Sequence, residues 1–174
     1  MGPDRNEDRK LDDKRIYDDE RVAGLLGLLR ERNELITTVE SCTGGLLSAR
    51  ITDIPGSSDV FHQGFVTYCD EAKASMVGVS RDTLRTYTAV SAQTAREMAE
   101  GGAGTAGADA CLSVTGYAGP AQDPEDTTVG LVYVGCCYLG KTRVRELHLT
   151  GSRRQIREAA MNEALGLLEE CLCS

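Results

Sequence analysis

Leu35-Ile36-Thr37-Thr38-Val39-Glu40-Ser41-Cys42-Thr43-Gly44-Gly45-Leu46 is the stretch whose reading decides the fold. Leu35 to Val39 is a short apolar and β-branched run, the composition of a strand. It stops at a serine, two glycines follow, and Thr43 to Thr52 reads as a helix. A strand that ends in Ser-x-x-Gly-Gly and turns into a helix exposes a hydroxyl where backbone N–H groups lack partners. The helix dipole adds a partial positive charge of about half a unit there. Such a place suits a nucleophile, a bound anion, or both. Taken alone, the more ordinary reading is that Ser41 caps the helix and the glycines relieve crowding.

Outward from this stretch, helical and strand-like segments alternate. Val22 begins a helix that ends near Asn33. Pro55-Gly56-Ser57-Ser58 is turn chemistry, and Val60 to Tyr68 mixes aromatic and β-branched residues as a strand does. Asp70 to Val77 reads as a short helix, and Ser91 as the N-cap of another through Ala95, Met98 and Ala99. Gly101 to Gly107 reads as a linker of small residues. Ala110 to Val114 is a buried strand that runs into the small-residue loop Thr115-Gly116-Tyr117-Ala118-Gly119-Pro120. Val129 to Cys137 and Lys141 to Leu149 are strands flanking Gly140-Lys141, a hairpin pattern. Ser152 to Cys171 carries Ile156, Ala160, Ala164 and Leu167 on one face and closes the chain as an amphipathic helix. The pattern predicts an α/β fold: a three-layer α/β/α sandwich around a mixed, largely parallel sheet. Ligands in such sheets bind beyond strand ends, which singles out the loops after Val39, Tyr68 and Val114.

The totals narrow the class. A chain of 174 residues suits one domain with a substantial core. Residues 1–20 are mostly charged, with both signs mixed, and read as a mobile tail ahead of a domain over 21–174. The formal net charge of -8 argues against general nucleic-acid binding, although local arginines can still hold a small anion. No apolar run reaches the roughly 18 residues of a membrane span, and no secretory signal opens the chain. Seven cysteines without a Cys-x-x-Cys pair fit a reduced, cytoplasmic protein. His62 and His148 are far apart and in no metal-ligand spacing, so no metal site is expected.

A serine nucleophile needs a base within hydrogen-bond reach. Neither histidine is placed for that role, which leaves a lysine whose pKa burial or positive charge could depress. Tyr68-Cys69-Asp70-Glu71-Ala72-Lys73 offers Lys73 and Tyr68 across a strand-to-helix turn, though an exposed Lys73 is the commoner outcome for that pattern. Cys42 is a rival nucleophile at the same helix start, with structural burial the simpler reading. Glu40 is either a ligand contact or an orienting acceptor. Arg153, Arg154 and Arg157 cluster at the start of the last helix, where cations oppose the dipole. That local conflict hints at an anionic partner, against the alternative of a solvated surface.

These segments together resemble the CinA carboxy-terminal domain family. The resemblance rests on Glu40-Ser41-Cys42-Thr43-Gly44-Gly45, Asp53-Ile54-Pro55-Gly56-Ser57-Ser58, Gly64-Phe65-Val66-Thr67-Tyr68 and Glu71-Ala72-Lys73. Ala89-Val90-Ser91, Val114-Thr115-Gly116-Tyr117-Ala118-Gly119-Pro120 and Val129-Gly130 continue it in the same order. It implies an α/β/α fold and nicotinamide-nucleotide amidase activity, in which nicotinamide mononucleotide (NMN) and water give nicotinate mononucleotide and ammonia. It also implies Ser41 as nucleophile, Lys73 as general base and Tyr68 in the same network. Glu40, Thr43, Gly44, Gly45, Thr115, Gly116 and Arg153 then lie against the substrate. No metal or other cofactor is implied, and the partners are the nucleotide and further copies of the chain. The chain departs from the family pattern at Cys69-Asp70, at Ala121-Gln122-Asp123 and at Gly151-Ser152-Arg153. Those departures leave open a nucleotide-binding module without catalysis and an amidase for another carboxamide.

Overall fold

The computed structural model describes residues 16–121 and 127–174. Most of the expected tail and the departure at Gln122-Asp123 lie outside the described residues. The elements run α1 (Asp19–Arg32), β1 (Ile36–Glu40), α2 (Leu46–Thr52), β2 (Phe65–Val66), α3 (Asp70–Val77), α4 (Arg81–Tyr87) and α5 (Ala92–Ala106). They continue β3 (Ala110–Gly116), β4 (Leu131–Tyr138), β5 (Lys141–His148) and α6 (Arg153–Leu172).

The five strands form one mixed sheet in the order β2-β1-β3-β4-β5. β1 pairs parallel with β2 and with β3, while β3–β4 and β4–β5 are antiparallel, so the two kinds of pairing are equal in number. Side chains alternate across the sheet with the two-residue period of a strand. Ile36, Leu112, Val114, Val134 and Cys136 face α1, α2 and α6. Val39, Cys111 and Cys137 face α5 and the α3–α4 region through Met98, Ala99, Val77 and Leu84. This is the three-layer sandwich expected from the sequence.

The differences from the sequence reading have local causes. The folded region starts before residue 20: Tyr17 is buried, its N–H donates to Asn162 Oδ1 at 2.9 Å, and Asp18 caps α1. Val60 to Tyr68 is not one strand. Only Phe65 and Val66 pair along β1, with a lone bridge at Phe61. Gly101 to Gly107 is not a linker, because α5 continues through it to Ala106 and stops at Gly107, whose φ is +62°. A Cβ on Gly101 would overlap the Val77 carbonyl, and one on Gly102 would overlap Val39 and Cys111. The glycines therefore let α5 sit close on the sheet and on α3. Their low helix propensity is outweighed by the packing they permit.

β1, β2 and β3 all end on the same side of the sheet. The segments that follow them carry Ser41, Thr67 to Lys73, and Gly116 to Pro120. This is the crevice beyond parallel strand ends where α/β sheets place their ligands.

Candidate active site

The turn after β1 is built around Glu40. Its side chain is 0% exposed and reaches forward to the start of α2. Oε2 accepts from the N–H of Gly45 at 3.1 Å and of Leu47 at 3.0 Å. Oε1 accepts from the Ser48 N–H at 2.8 Å and the Ser48 hydroxyl at 2.7 Å. An internal carboxylate thus satisfies the donors that α2 would otherwise offer to an outside anion. Gly44 and Gly45 supply the left-handed φ values of +60° and +103° that this reversal needs. The expectation that Glu40 touches substrate is corrected accordingly, since its carboxylate has no surface left and no unused role.

Ser41 follows on the strand side of the turn, nearly buried. Lys73, on α3, is 1% exposed, and its Nζ lies 3.0 Å from Ser41 Oγ and 2.8 Å from the carbonyl of Thr67. The exposed lysine that its helix position suggests is therefore not what forms. Burial lowers the Lys73 pKa, with Asp70 opposing the shift. A lysine driven toward its neutral amine beside a serine hydroxyl is a base placed to accept that proton. Cys42 also lines the cavity, but burial pushes its thiol up to about 11, which keeps it protonated.

Ser41 and Lys73 sit at the base of a cavity of about 740 Å³. Its walls include Val90, Thr115, Gly116, Tyr117, Pro120 and Val129, and its rim carries Tyr68 and Arg153. Arg153 donates to the Gly119 carbonyl at 2.6 Å and to the Tyr68 hydroxyl at 3.0 Å. Tyr68 is 61% exposed and is tied to Arg153, with no hydrogen bond to Ser41 or Lys73, so its place in the proton network is corrected to one at the rim. Thr115 turns its hydroxyl to the Ala89 carbonyl at 2.7 Å and supports the wall. Gly116 lies where any Cβ would press on β4 at Val132 and the Leu131 carbonyl.

The structure thus brings together Ser41, Lys73, Tyr68, Thr115, Gly116 and Arg153. Glu40, Thr43, Gly44 and Gly45 form the turn beneath and behind the cavity and do not line it. Ala89 and Val90 also line the cavity, although their small apolar side chains carry no chemical signal in the sequence. The apparent charge conflict at the start of α6 has an internal resolution. Arg154 pairs with Glu158, and Arg157 donates to the Cys42 and Thr43 carbonyls. His62 and His148 are both exposed and away from the cavity. Among the described residues, no group of three or more His, Cys, Asp or Glu side chains could hold a metal ion. Nor is any helix among them long and apolar enough to cross a membrane.

Comparison with known proteins identifies the family and the fold. The family model for the CinA C-terminal domain matches residues 19–172. A Clostridium novyi (strain NT) protein named for competence-damage inducibility is 49% identical over 138 residues, covering 79% of this chain and 33% of that protein. The chain spans about a third of the length of such relatives. The crystal structure of a competence-damaged protein (CinA) superfamily protein from Escherichia coli superposes with a TM-score of 0.85 at 31% identity. It covers 98% of this chain and 99% of that one. The competence/damage inducible protein CihA from Agrobacterium tumefaciens gives a TM-score of 0.83 at 37% identity, over 90% and 95% of the two chains. With the matched residues running from α1 to the end of α6, the chain belongs to the CinA C-terminal domain family.

Proposed function

We propose that this domain is an amidohydrolase that converts NMN and water to nicotinate mononucleotide and ammonia by a Ser41–Lys73 mechanism. The observation that carries the reading is the buried Lys73 amine 3.0 Å from Ser41 Oγ at the base of a nucleotide-sized cavity. Neutral Lys73 takes the hydroxyl proton while its own N–H stays on the Thr67 carbonyl. Ser41 Oγ attacks the carboxamide carbon of the nicotinamide ring. The proton returns from Lys73 to the departing ammonia, and water cleaves the acyl-enzyme in the reverse sense. The direct Lys73–Ser41 contact needs no relay through Tyr68.

The developing oxyanion requires N–H donors close to Ser41. Among the turn amides, Gly45, Leu47 and Ser48 are taken by Glu40, and Gly44 donates to the Ser41 carbonyl at 3.0 Å. Cys42 follows Ser41 and lines the cavity, so its N–H is the turn amide assigned to the oxyanion, which would take it from its own sulfur. The phosphate then falls to the rim, where Arg153 is the cation and Tyr68 fixes its guanidinium.

Incubating the protein with NMN should release ammonia and nicotinate mononucleotide in equal amounts. The riboside without its phosphate should be a much poorer substrate. Tight NMN binding without ammonia release would turn the reading to a binding module, and turnover of a different carboxamide to an amidase of other specificity.

A further inference from the structure

We propose that Cys136 and Cys171 form a redox modification site: a hydroperoxide oxidises Cys171 on α6, and Cys136 on β4 then closes a disulfide with it. The site lies apart from the Ser41–Lys73 cavity and does not depend on the amidase reading. Cys136 sits within β4, 0% exposed, on the face of the sheet that packs against α6. Cys171 lies in the last turn of α6 and belongs to the same core cluster. Both are free thiols, and the Cys136 thiol donates a hydrogen bond to the Cys171 sulfur. Each sulfur therefore already has beside it the partner that a disulfide requires.

The surroundings make Cys171 the reactive member. It lines a cavity of about 250 Å³ together with Lys141 and Arg143, beside the exposed Leu139 and Ser174. A small peroxide reaches it there, whereas Cys136 does not line the cavity. The hydrogen bond from Cys136, with Arg143 and Arg145 of β5 nearby, lowers the Cys171 pKa. Burial, Glu170 and the negative end of the α6 dipole work against that shift. The Glu170 carboxylate is itself held by Arg145 at 2.7 and 2.8 Å. The same thiol–thiol bond and burial raise Cys136, which keeps its proton. A thiolate on a reachable sulfur beside a resolving thiol is the arrangement that peroxide-sensitive cysteines use. Burial, by contrast, keeps the Cys42 and Cys111 thiols protonated. In the first step the Cys171 sulfur attacks one peroxide oxygen. The O–O bond breaks, Cys171 becomes a sulfenic acid, and hydroxide or alkoxide leaves. The Cys136 sulfur then attacks the sulfenic sulfur, the S–O bond breaks, and the hydroxyl departs with the Cys136 proton as water. Two thiols lose two electrons to the peroxide, and a dithiol reductant reverses the change.

The test treats the reduced full chain with hydrogen peroxide and follows it by thiol titration and tandem mass spectrometry. Cys69 and Cys173 are exposed and would consume peroxide on their own account, so the first protein carries Cys69→Ser and Cys173→Ser. It should lose two thiols and yield a Cys136–Cys171 disulfide that dithiothreitol reverses. The wild type should form the same bridge. Adding Cys136→Ser should instead leave a sulfenic acid at Cys171 that dimedone captures. Cys136→Ala takes its place if thermal melting shows that the serine variant does not fold. Adding Cys171→Ser should slow oxidation of Cys136 at least about tenfold, because the remaining thiol is protonated and away from the cavity. Folded protein in which Cys136 and Cys171 stay reduced under peroxide overturns the inference. So does a wild type whose main product joins Cys171 to Cys173.

Discussion

Replacing Glu40 by glutamine isolates the energetics of the turn that presents Ser41. The carboxylate receives four hydrogen bonds while fully buried, from the N–H groups of Gly45, Leu47 and Ser48 and from the Ser48 hydroxyl. Glutamine offers one oxygen and one NH2 group. In the best arrangement its oxygen keeps Gly45 and Leu47, and the Ser48 hydroxyl rotates to accept from the new NH2. The Ser48 N–H is then left facing a donor. A buried orphan N–H costs about 1–3 kcal/mol, and loss of charge weakens each retained bond by about 0.5–1 kcal/mol. The sum is about 2–5 kcal/mol against a typical domain stability of about 5–15 kcal/mol. With a urea slope of about 2 kcal/mol per molar, the unfolding midpoint should drop by about 1–2.5 M. Urea unfolding followed by circular dichroism at pH 7.5 measures it. A loss below about 0.5 kcal/mol would refute the reasoning. If stability held while KM for NMN rose tenfold, Glu40 would be a substrate contact after all.

Lys73 makes stability and activity depend on pH in a stated direction. Its pKa is lowered in the folded state, so between that value and the ordinary lysine value of about 10.4 the unfolded chain binds more protons. Wild-type stability relative to Lys73→Met should therefore rise with pH across this window, measured by denaturation at pH 7 and 9.5. The acid limb of kcat/KM should report the same lowered ionisation. Tyr68→Phe removes the hydroxyl from Arg153 and should raise KM for NMN about two- to fivefold with little change in kcat, as steady-state kinetics would show. Gly102→Ala should cost about 1–3 kcal/mol despite alanine's better helix propensity, because the methyl group meets Val39 and Cys111. Gly104→Ala, on the same helix with open space around it, should be neutral or stabilise by up to about 1 kcal/mol, and thermal melts of the two variants check the contrast.

The alternation of elements was legible because periodicity reports burial: α3 over Asp70–Val77 and the β4–β5 hairpin follow from local pattern. The Gly101 to Gly107 segment was not legible. What holds glycines in α5 is the nearness of Val77, Val39 and Cys111, residues distant in sequence. α4 escaped notice because Leu84 is its only buried residue, too little for a helical stripe. In the site, composition marked Ser41 and Lys73 as candidates, yet nothing local reveals that Lys73 is buried or that Tyr68 turns to Arg153. Glu40 had two readings open, and only the fold of the turn decides between them. The arginine cluster on α6 reads in the sequence as a hint of an anionic partner, whereas the partners of Arg157 are carbonyls 114 and 115 residues away in the chain.

The central claim is that Ser41, with Lys73 as its base, opens a nicotinamide carboxamide. Ammonia release from NMN by wild-type and Ser41→Ala protein, both verified as folded, tests it most directly. Stoichiometric ammonia and nicotinate mononucleotide from the wild type, with at least a thousandfold loss in the variant, is the predicted result. Undiminished release by folded Ser41→Ala would contradict it.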